Sequence, residues 1–336
     1  MIFAVTGANG FLGVHIIHHL LSNGHRVIAI VRPNASLDQF YLIKESYSFS
    51  NDVYDLLSWE SCELFDSYGL LQIFVEVDYV LHVAGIISYE QRDFGKLIEV
   101  NKNYTANVAN MALEARVKKL VYCSSISALS KDSQTSLIDE NNEWDDKKPH
   151  SNYGLSKYLG ECEIWRIQEE GLRTAIVIPG IILGYGNWNQ GSNSLFKNAN
   201  KQFRFYSKGV TGFVGVNDVA KAMCSLCVSE IDGERYILVS ENLSFESISK
   251  MMAERFEKNP PSIEVKGGLY RFIYALVSLK EFLRIRGLLS RETVKASISE
   301  NYYSNQKARE QLNIKFTLMQ TVINDAISWY KKSPPK

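Results

Sequence analysis

Apolar and polar residues recur along this chain with two different periods, and the two periods take turns. Short apolar runs suited to buried strands occur at Ile2 to Thr6, "RVIAIVR" (26–32), "DYVLHVAG" (78–85), "KLVYCSS" (119–125) and "RTAIVIPG" (173–180). Between them, apolar residues fall three and four apart, the spacing of a helix with one buried face. Such segments are Val14 to Leu21, "LIEVNKNYTANVANMALEA" (97–115) and "NYGLSKYLGECEIWRIQEEG", the last closed by Gly171. Strand and helix in alternation predict a parallel sheet with helices on both faces, an α/β doubly wound fold. Past residue 180 the pattern loosens into short segments and aromatic loops around one more strand, "RYILVS" (235–240), and the chain closes in helices within "SNQKAREQLN" and "MQTVINDAISWYKK". The division predicts a sheet domain over 1–180 and a smaller region over 181–336, some of whose segments return to the sheet. That region is expected over the carboxyl ends of the strands, where open α/β sheets bind ligands.

Composition changes this picture little. The 336 residues are 46% hydrophobic and 22% charged, and 37 basic residues balance 37 acidic ones. A formal net charge of zero makes no global case for nucleic acid or membrane as a partner, although a local patch is compatible with it. The glycine-rich strand begins at once, so no secretory leader is expected before it. No apolar run reaches the length of a spanning helix. The nearest, "LYRFIYALVSLKEFL" (269–283), is broken by Arg271, Lys280 and Glu281 and reads as a packed amphipathic helix. Five scattered cysteines suggest reduced thiols and a cytoplasmic location. "CSLC" (224–227) lies in a helix with its sulfurs on the apolar side, which reads as core packing. His15, His18 and His19 share a helix without the spacing of a zinc site, and are expected on a solvated face; no metal is expected.

Two stretches carry chemistry. In "AVTGANGFLGVHII", Gly7, Gly10 and Gly13 follow a strand and open a helix. Glycine permits a sharp turn and lets a phosphate approach without meeting a Cβ, and the helix start offers unpaired N–H groups to an anion. Taken alone, the three glycines also fit an ordinary turn. Farther on, Tyr153 and Lys157 lie four residues apart on one helix face. An ammonium near a phenol favours the phenolate and lowers the tyrosine pKa, as acid–base work requires. Ser125, 28 residues earlier, ends a strand where its hydroxyl can bond a substrate oxygen; Ser124 is its rival, because side chains alternate along a strand.

With those residues in view, the sequence resembles the extended short-chain dehydrogenase/reductase family, from the first strand to about residue 225 and more loosely beyond. The matching stretches are "TGANGFLG", "DYVLHVAG", "NKNYTANV", "VYCSSISAL", "YGLSK" and "FVGVNDVAKAM". The resemblance implies a Rossmann-type sheet that binds a dinucleotide, with a smaller C-terminal substrate-binding region. It implies that Tyr153 passes a proton to or from a carbonyl oxygen, that Lys157 binds the nicotinamide ribose, and that Ser125 holds the carbonyl. Asn101 would support a proton relay, or would only shape its helix. Cofactor contacts are expected at Gly7, Asn9, Gly10, Phe11, Leu12, Gly13, Ala84, Gly85, Tyr153, Lys157, Pro179 and Ile182. Asp55 and Leu56, in "VYDLLSW", resemble the family's aspartate–apolar pair beside the adenine.

The second strand ends in "IVRPN", with Arg32 where a carboxylate would select NAD(H). A guanidinium suits a 2′-phosphate, so NADP(H) is favoured and NAD(H) is left open. This ending also resembles the dihydroflavonol reductase and aldehyde reductase branch. "SISALSKD" lacks the acidic pair usual in sugar-nucleotide dehydratases. The expected activity is NADP(H)-dependent reduction of a small ketone or aldehyde. The alternatives are a nucleotide-sugar epimerase using NAD and a dinucleotide-binding regulator without turnover. The expected partner is a small carbonyl compound, with neither nucleic acid nor membrane, and with a homodimer left open. Residues near 86–90, 127–131 and 183–215 are expected to line its pocket, although their aromatic side chains also fit simple packing.

Overall fold

The computed structural model describes residues 1–47, 49–131, 137–283, 285 and 290–332; part of the polar loop at 130–149 lies outside them. Seven strands form the central sheet: β1 (Ile2–Thr6), β2 (Arg26–Val31), β3 (Leu57–Ser61), β4 (Tyr79–His82), β5 (Lys119–Cys123), β6 (Thr174–Pro179) and β7 (Glu234–Leu238). Their spatial order is β3-β2-β1-β4-β5-β6-β7, and every pairing is parallel. The chain moves outward from β1 to one edge and then back across to the other. The order reverses between β1 and β4, which opens a crevice at their carboxyl ends.

Side chains leave a strand on alternate faces, and the strands sort their residues accordingly. Phe3, Val5, Val27 and Ala29 enter one core, whereas Ala4, Ile28, Ile30 and Val80 enter the other. Helices α1 (Phe11–Ser22) and α5 (Val216–Val228) cover the first face, packed on each other. Helices α2 (Ser67–Phe74), α3 (Tyr104–Glu114) and α4 (Asn152–Glu169) cover the second. The C-terminal end of α5 is capped from the sheet. The buried Lys119 ammonium donates to the carbonyls of Leu226 (2.7 Å), Ser229 (3.2 Å) and Ile231, a favourable charge for a helix C-terminus. Cys224 and Cys227 lie on the buried face of α5, and burial raises both thiols well above the ordinary range.

The smaller region contains a three-stranded sheet of residues 181–183, 210–215 and 241–244 and a short ladder pairing 205–206 with 263–264. Helices α6 (Gly267–Phe282), α7 (Arg291–Ala296) and α8 (Met319–Lys332) follow. Trp188 is fully buried, edge-on to Phe196 and Tyr330. That ring belongs to the core and not to a substrate wall.

Two expectations are corrected here. His15 and His18 are buried, not solvated. His18 stacks on Tyr47 at 4.3 Å, and His15 is bonded to the Tyr47 hydroxyl and the Tyr185 carbonyl, each at 2.9 Å. Burial holds both rings neutral, down to a pKa of about 4. The helix expected at 269–283 does form, as α6, but only one side packs. Val277 is buried, whereas Phe272, Leu276 and Leu279 are more than half exposed.

Candidate active site

The site lies along the carboxyl edge of the sheet. After β1, Gly7 turns the chain at φ +65°, and a Cβ there would stand 2.7 Å from Ala84 Cα. A Cβ on Gly13 would stand 2.3 Å from the Gly7 carbonyl oxygen. These two glycines let the turn press against β4 and against α1. Gly10 differs: its only near neighbour would be Gly7 O at 3.1 Å. Gly10 N–H donates to Gly7 O (2.9 Å), and Gly10 O accepts from Val14 N–H (3.0 Å). No side chain caps α1 at Gly10, so the first N–H groups of the helix remain available to an anion. The open side of Gly10 and these donors fit a pyrophosphate. Phe11 and Leu12 start the helix, and Asn9 Nδ2 ties the turn to the Ser36 carbonyl (3.0 Å), which fixes the loop after β2.

That loop begins at Arg32, which is exposed and close enough to Tyr104 to act on its phenol. Glu63 acts on the same phenol. It follows β3, and Leu64 beside it is buried. Asp55 and Leu56, by contrast, belong to a 3-10 turn that enters β3. In register, Leu57 pairs with Val27, so the pair sits at the amino ends of the strands, opposite the glycine turn. That position speaks against the adenine contact expected of Asp55 and Leu56; Glu63 and Leu64 stand past the far end of β3, on the edge of the glycine turn.

Helix α4 starts at Ser151, whose hydroxyl accepts the Gly154 N–H at 2.9 Å. Gly154 is needed because a Cβ there would stand 2.3 Å from the Ser127 carbonyl oxygen. This close approach brings Tyr153 to the turn after β5, near enough to Ser125 for the serine hydroxyl to act on its phenol. Ser125 also accepts the Ser127 N–H at 3.2 Å. Ser124 points elsewhere: its hydroxyl bonds the buried Glu161, which pairs with Arg235 at 3.2 Å. One turn past Tyr153, Lys157 Nζ donates to the Cys123 carbonyl (2.6 Å) and lies 4.4 Å over the Tyr122 ring. The Tyr89 ring, within the 86–90 stretch expected to line the substrate pocket, meets Tyr153 edge-on at 5.7 Å. Burial pushes the Tyr153 phenol above its ordinary range; Lys157 and Ser125 act in the opposite direction without reversing it. The expectation of a lowered pKa therefore gives way to a phenol held protonated.

Asn101 is buried in a π-helical turn, Glu99–Asn103, between a short α-helical stretch and α3. Its side chain accepts the Ile86 N–H and donates to the Ile86 carbonyl and Ser156, all at 2.9 Å. It thereby clamps the backbone just after Gly85, where a Cβ would lie 3.7 Å from Lys157 Nζ. A second chain joins Thr6, His82 and Thr105: His82 Nδ1 meets Thr6 Oγ1 at 2.7 Å and Nε2 meets Thr105 Oγ1 at 3.0 Å. Burial keeps that ring neutral, at a pKa of about 3. Pro179 ends β6 at the same edge, and Ile182 lies in the next short strand. Among the described residues no cluster of His, Cys, Asp and Glu could hold a metal.

The sequence profile of the NAD dependent epimerase/dehydratase family matches residues 3–237, which span the sheet and every group just described. The chain belongs to this family. Among similar proteins are the anthocyanidin reductase of Arabidopsis thaliana, 28% identical over 79% of this chain and 83% of its own, and cinnamoyl-CoA reductase 1 of Oryza sativa subsp. japonica, 26% identical over 76% of each. The crystal structure of gox2253 superposes with a TM-score of 0.80 at 27% identity, covering 98% of both chains. The family member described here is an NAD(P)-dependent enzyme of the extended short-chain dehydrogenase/reductase type. It uses a nicotinamide dinucleotide.

Proposed function

We propose that this enzyme reduces a small ketone or aldehyde with NADPH, and that Tyr153 gives the proton. The observation carrying this reading is the placement of the buried Tyr153 beside Ser125, with Lys157 one turn away, on the edge that also holds the Gly10 turn. A carbonyl oxygen between the two side chains would accept from both hydroxyls, which polarises the carbonyl. A bound reduced nicotinamide would supply the hydride for the carbonyl carbon. The oxygen takes the Tyr153 proton, and the product is an alcohol. The Lys157 ammonium stabilises the phenolate left behind, and solvent reprotonates it. Burial supports this direction, because a phenol kept neutral is ready to donate. Residues Gly7 to Gly13 would hold the pyrophosphate, Lys157 the nicotinamide ribose, and Arg32 the 2′-phosphate. Reductase names among the relatives agree with this choice of reaction.

The test is NADPH oxidation across a panel of ketones and aldehydes, followed at the absorbance of the reduced nicotinamide. Turnover on a carbonyl compound with NADPH, and less with NADH, is expected. Interconversion of a nucleotide sugar with bound NAD and no net NADPH oxidation would replace this reading with an epimerase.

A further inference from the structure

Helix α6 carries a second face that the fold does not use. Phe272, Leu276, Leu279 and Leu283 follow at intervals of four, three and four, one side of a helix, and each is 52–62% exposed. Large apolar groups ranked along one helix face are unlike the single exposed hydrophobics normal on a protein surface. Just before α6 in the chain, the short ladder adds exposed apolar groups: Ile263 pairs with Phe205, and Phe203 lies 5.5 Å from the Phe205 ring.

The same segments are strongly basic. Described residues 201–208 and 263–283 contain six Lys or Arg and two Glu, a net +4 in a chain whose formal total is zero. Both carboxylates are tied to cations: Glu264 to Lys208 and Lys266, and Glu281 to Arg291. We propose that this face docks the enzyme on an anionic lipid bilayer, with α6 lying in the interface. Apolar side chains on one side of a helix, with lysines and arginines around it, are what a bilayer surface rewards; such a helix binds without spanning. No helix among the described residues is long and apolar enough to cross a membrane. A second copy of the chain is the poorer occupant, because pairing like faces would bring two +4 surfaces together. The whole-chain charge balance, which argues for no membrane, averages this surface away. The docked side is also the substrate side: Arg291 of α7 joins Glu281 of α6 to Gln91, and Glu292 accepts the N–H of Asn152, next to Tyr153.

The full-length protein is tested by sedimentation with vesicles of phosphatidylcholine alone and with vesicles rich in phosphatidylglycerol. Binding to the anionic vesicles, little to the neutral ones, and release by high salt are expected. Lys201→Gln, Arg204→Gln and Arg271→Gln should each weaken binding about fivefold, and Phe272→Ser with Leu276→Ser about tenfold or more. Unchanged melting temperature and dinucleotide affinity in the variants show that folding and the catalytic edge are intact. Absence of wild-type binding to anionic vesicles, equal binding to neutral ones, or undiminished binding by the variants overturns the proposal. So does a dimer in sedimentation equilibrium that Phe272→Ser dissolves without any vesicle binding.

Discussion

A methyl group on Gly10 should separate the cofactor cradle from the fold that carries it. Gly10 has φ −79° and ψ 169°, ordinary values for alanine. Its Cβ would meet only the Gly7 carbonyl oxygen at 3.1 Å, a contact relieved by a few tenths of an ångström. Reduced freedom of the unfolded chain gains about 0.4–1 kcal/mol for such a change, which offsets the tight contact. Folding stability of Gly10→Ala should therefore stay within about 1 kcal/mol of wild type. The methyl nevertheless points into the space assigned to the pyrophosphate. Overfilling a close-packed contact costs about 1–3 kcal/mol, or a loss of dinucleotide affinity of roughly 5- to 150-fold. Gly13→Ala is the contrasting control, since its Cβ would lie 2.3 Å from a backbone oxygen, and it should damage folding itself. The assay is urea unfolding without cofactor, followed by NADPH titration on the intrinsic fluorescence. A folded Gly10→Ala protein with wild-type affinity would refute the cradle, and Gly10→Val with wild-type affinity would do so more severely.

Tyr153→Phe keeps the ring and removes the proton, so turnover should fall by roughly 10²- to 10⁴-fold; near-normal turnover would show that another group donates. Arg32→Asp should weaken NADPH binding roughly 10- to 150-fold while sparing NADH, measured as the ratio of the two dissociation constants; an unchanged ratio would remove Arg32 from cofactor choice. The buried rings of His15 and His82, at about 4 and about 3, take up protons near pH 6.5 only when the chain unfolds. Their stabilising effect is complete above that pH and is lost as pH falls toward 4. At about pH 5 each costs about 2 kcal/mol relative to neutral pH, offset in part by the raised Glu140 and Glu161. Urea unfolding at the two pH values checks this, and equal stability in both would contradict the buried neutral state.

The inner strands were legible because they are buried on both faces, and uninterrupted apolar runs such as "RTAIVIPG" leave a plain trace. Edge strand β3 was not: "LSWES" exposes Ser58, Glu60 and Ser61, and its pattern does not announce a strand. With β3 hidden, the acidic–apolar pair was sought on its near side, at Asp55 and Leu56, while Glu63 and Leu64 follow its far end. The histidines of α1 misled for a different reason. Their polarity is local, whereas the Tyr47 ring and the Tyr185 carbonyl that enclose them come from elsewhere in the chain. Tyr153, Lys157 and Ser125 were readable as residue types at a spacing. Which of two serines faces the phenol depended on side-chain direction, and the strength of burial around Tyr153 depended on packing that no spacing encodes.

The π-helical turn at Glu99–Asn103 has a consequence for length. On a regular helix each residue advances about 100°, so Leu97, Asn101 and Thr105 would drift about 80° across their two four-residue steps. The wider turn takes up that drift, and all three are buried. Asn101 can hold the Ile86 backbone while Thr105 meets His82, and the Thr105 hydroxyl closes onto the Asn101 carbonyl at 2.9 Å. The turn thus behaves as a one-residue insertion whose surplus has been put to use. Deleting any single residue from 99 to 103 would let the helix run regularly and would rotate everything on one side of the cut by about 100°. Either Asn101 would release the loop beside Lys157, or α3 would turn Val108 and Ala112 out of the core. Substitution can vary this segment, but its count of residues is fixed by geometry at both ends.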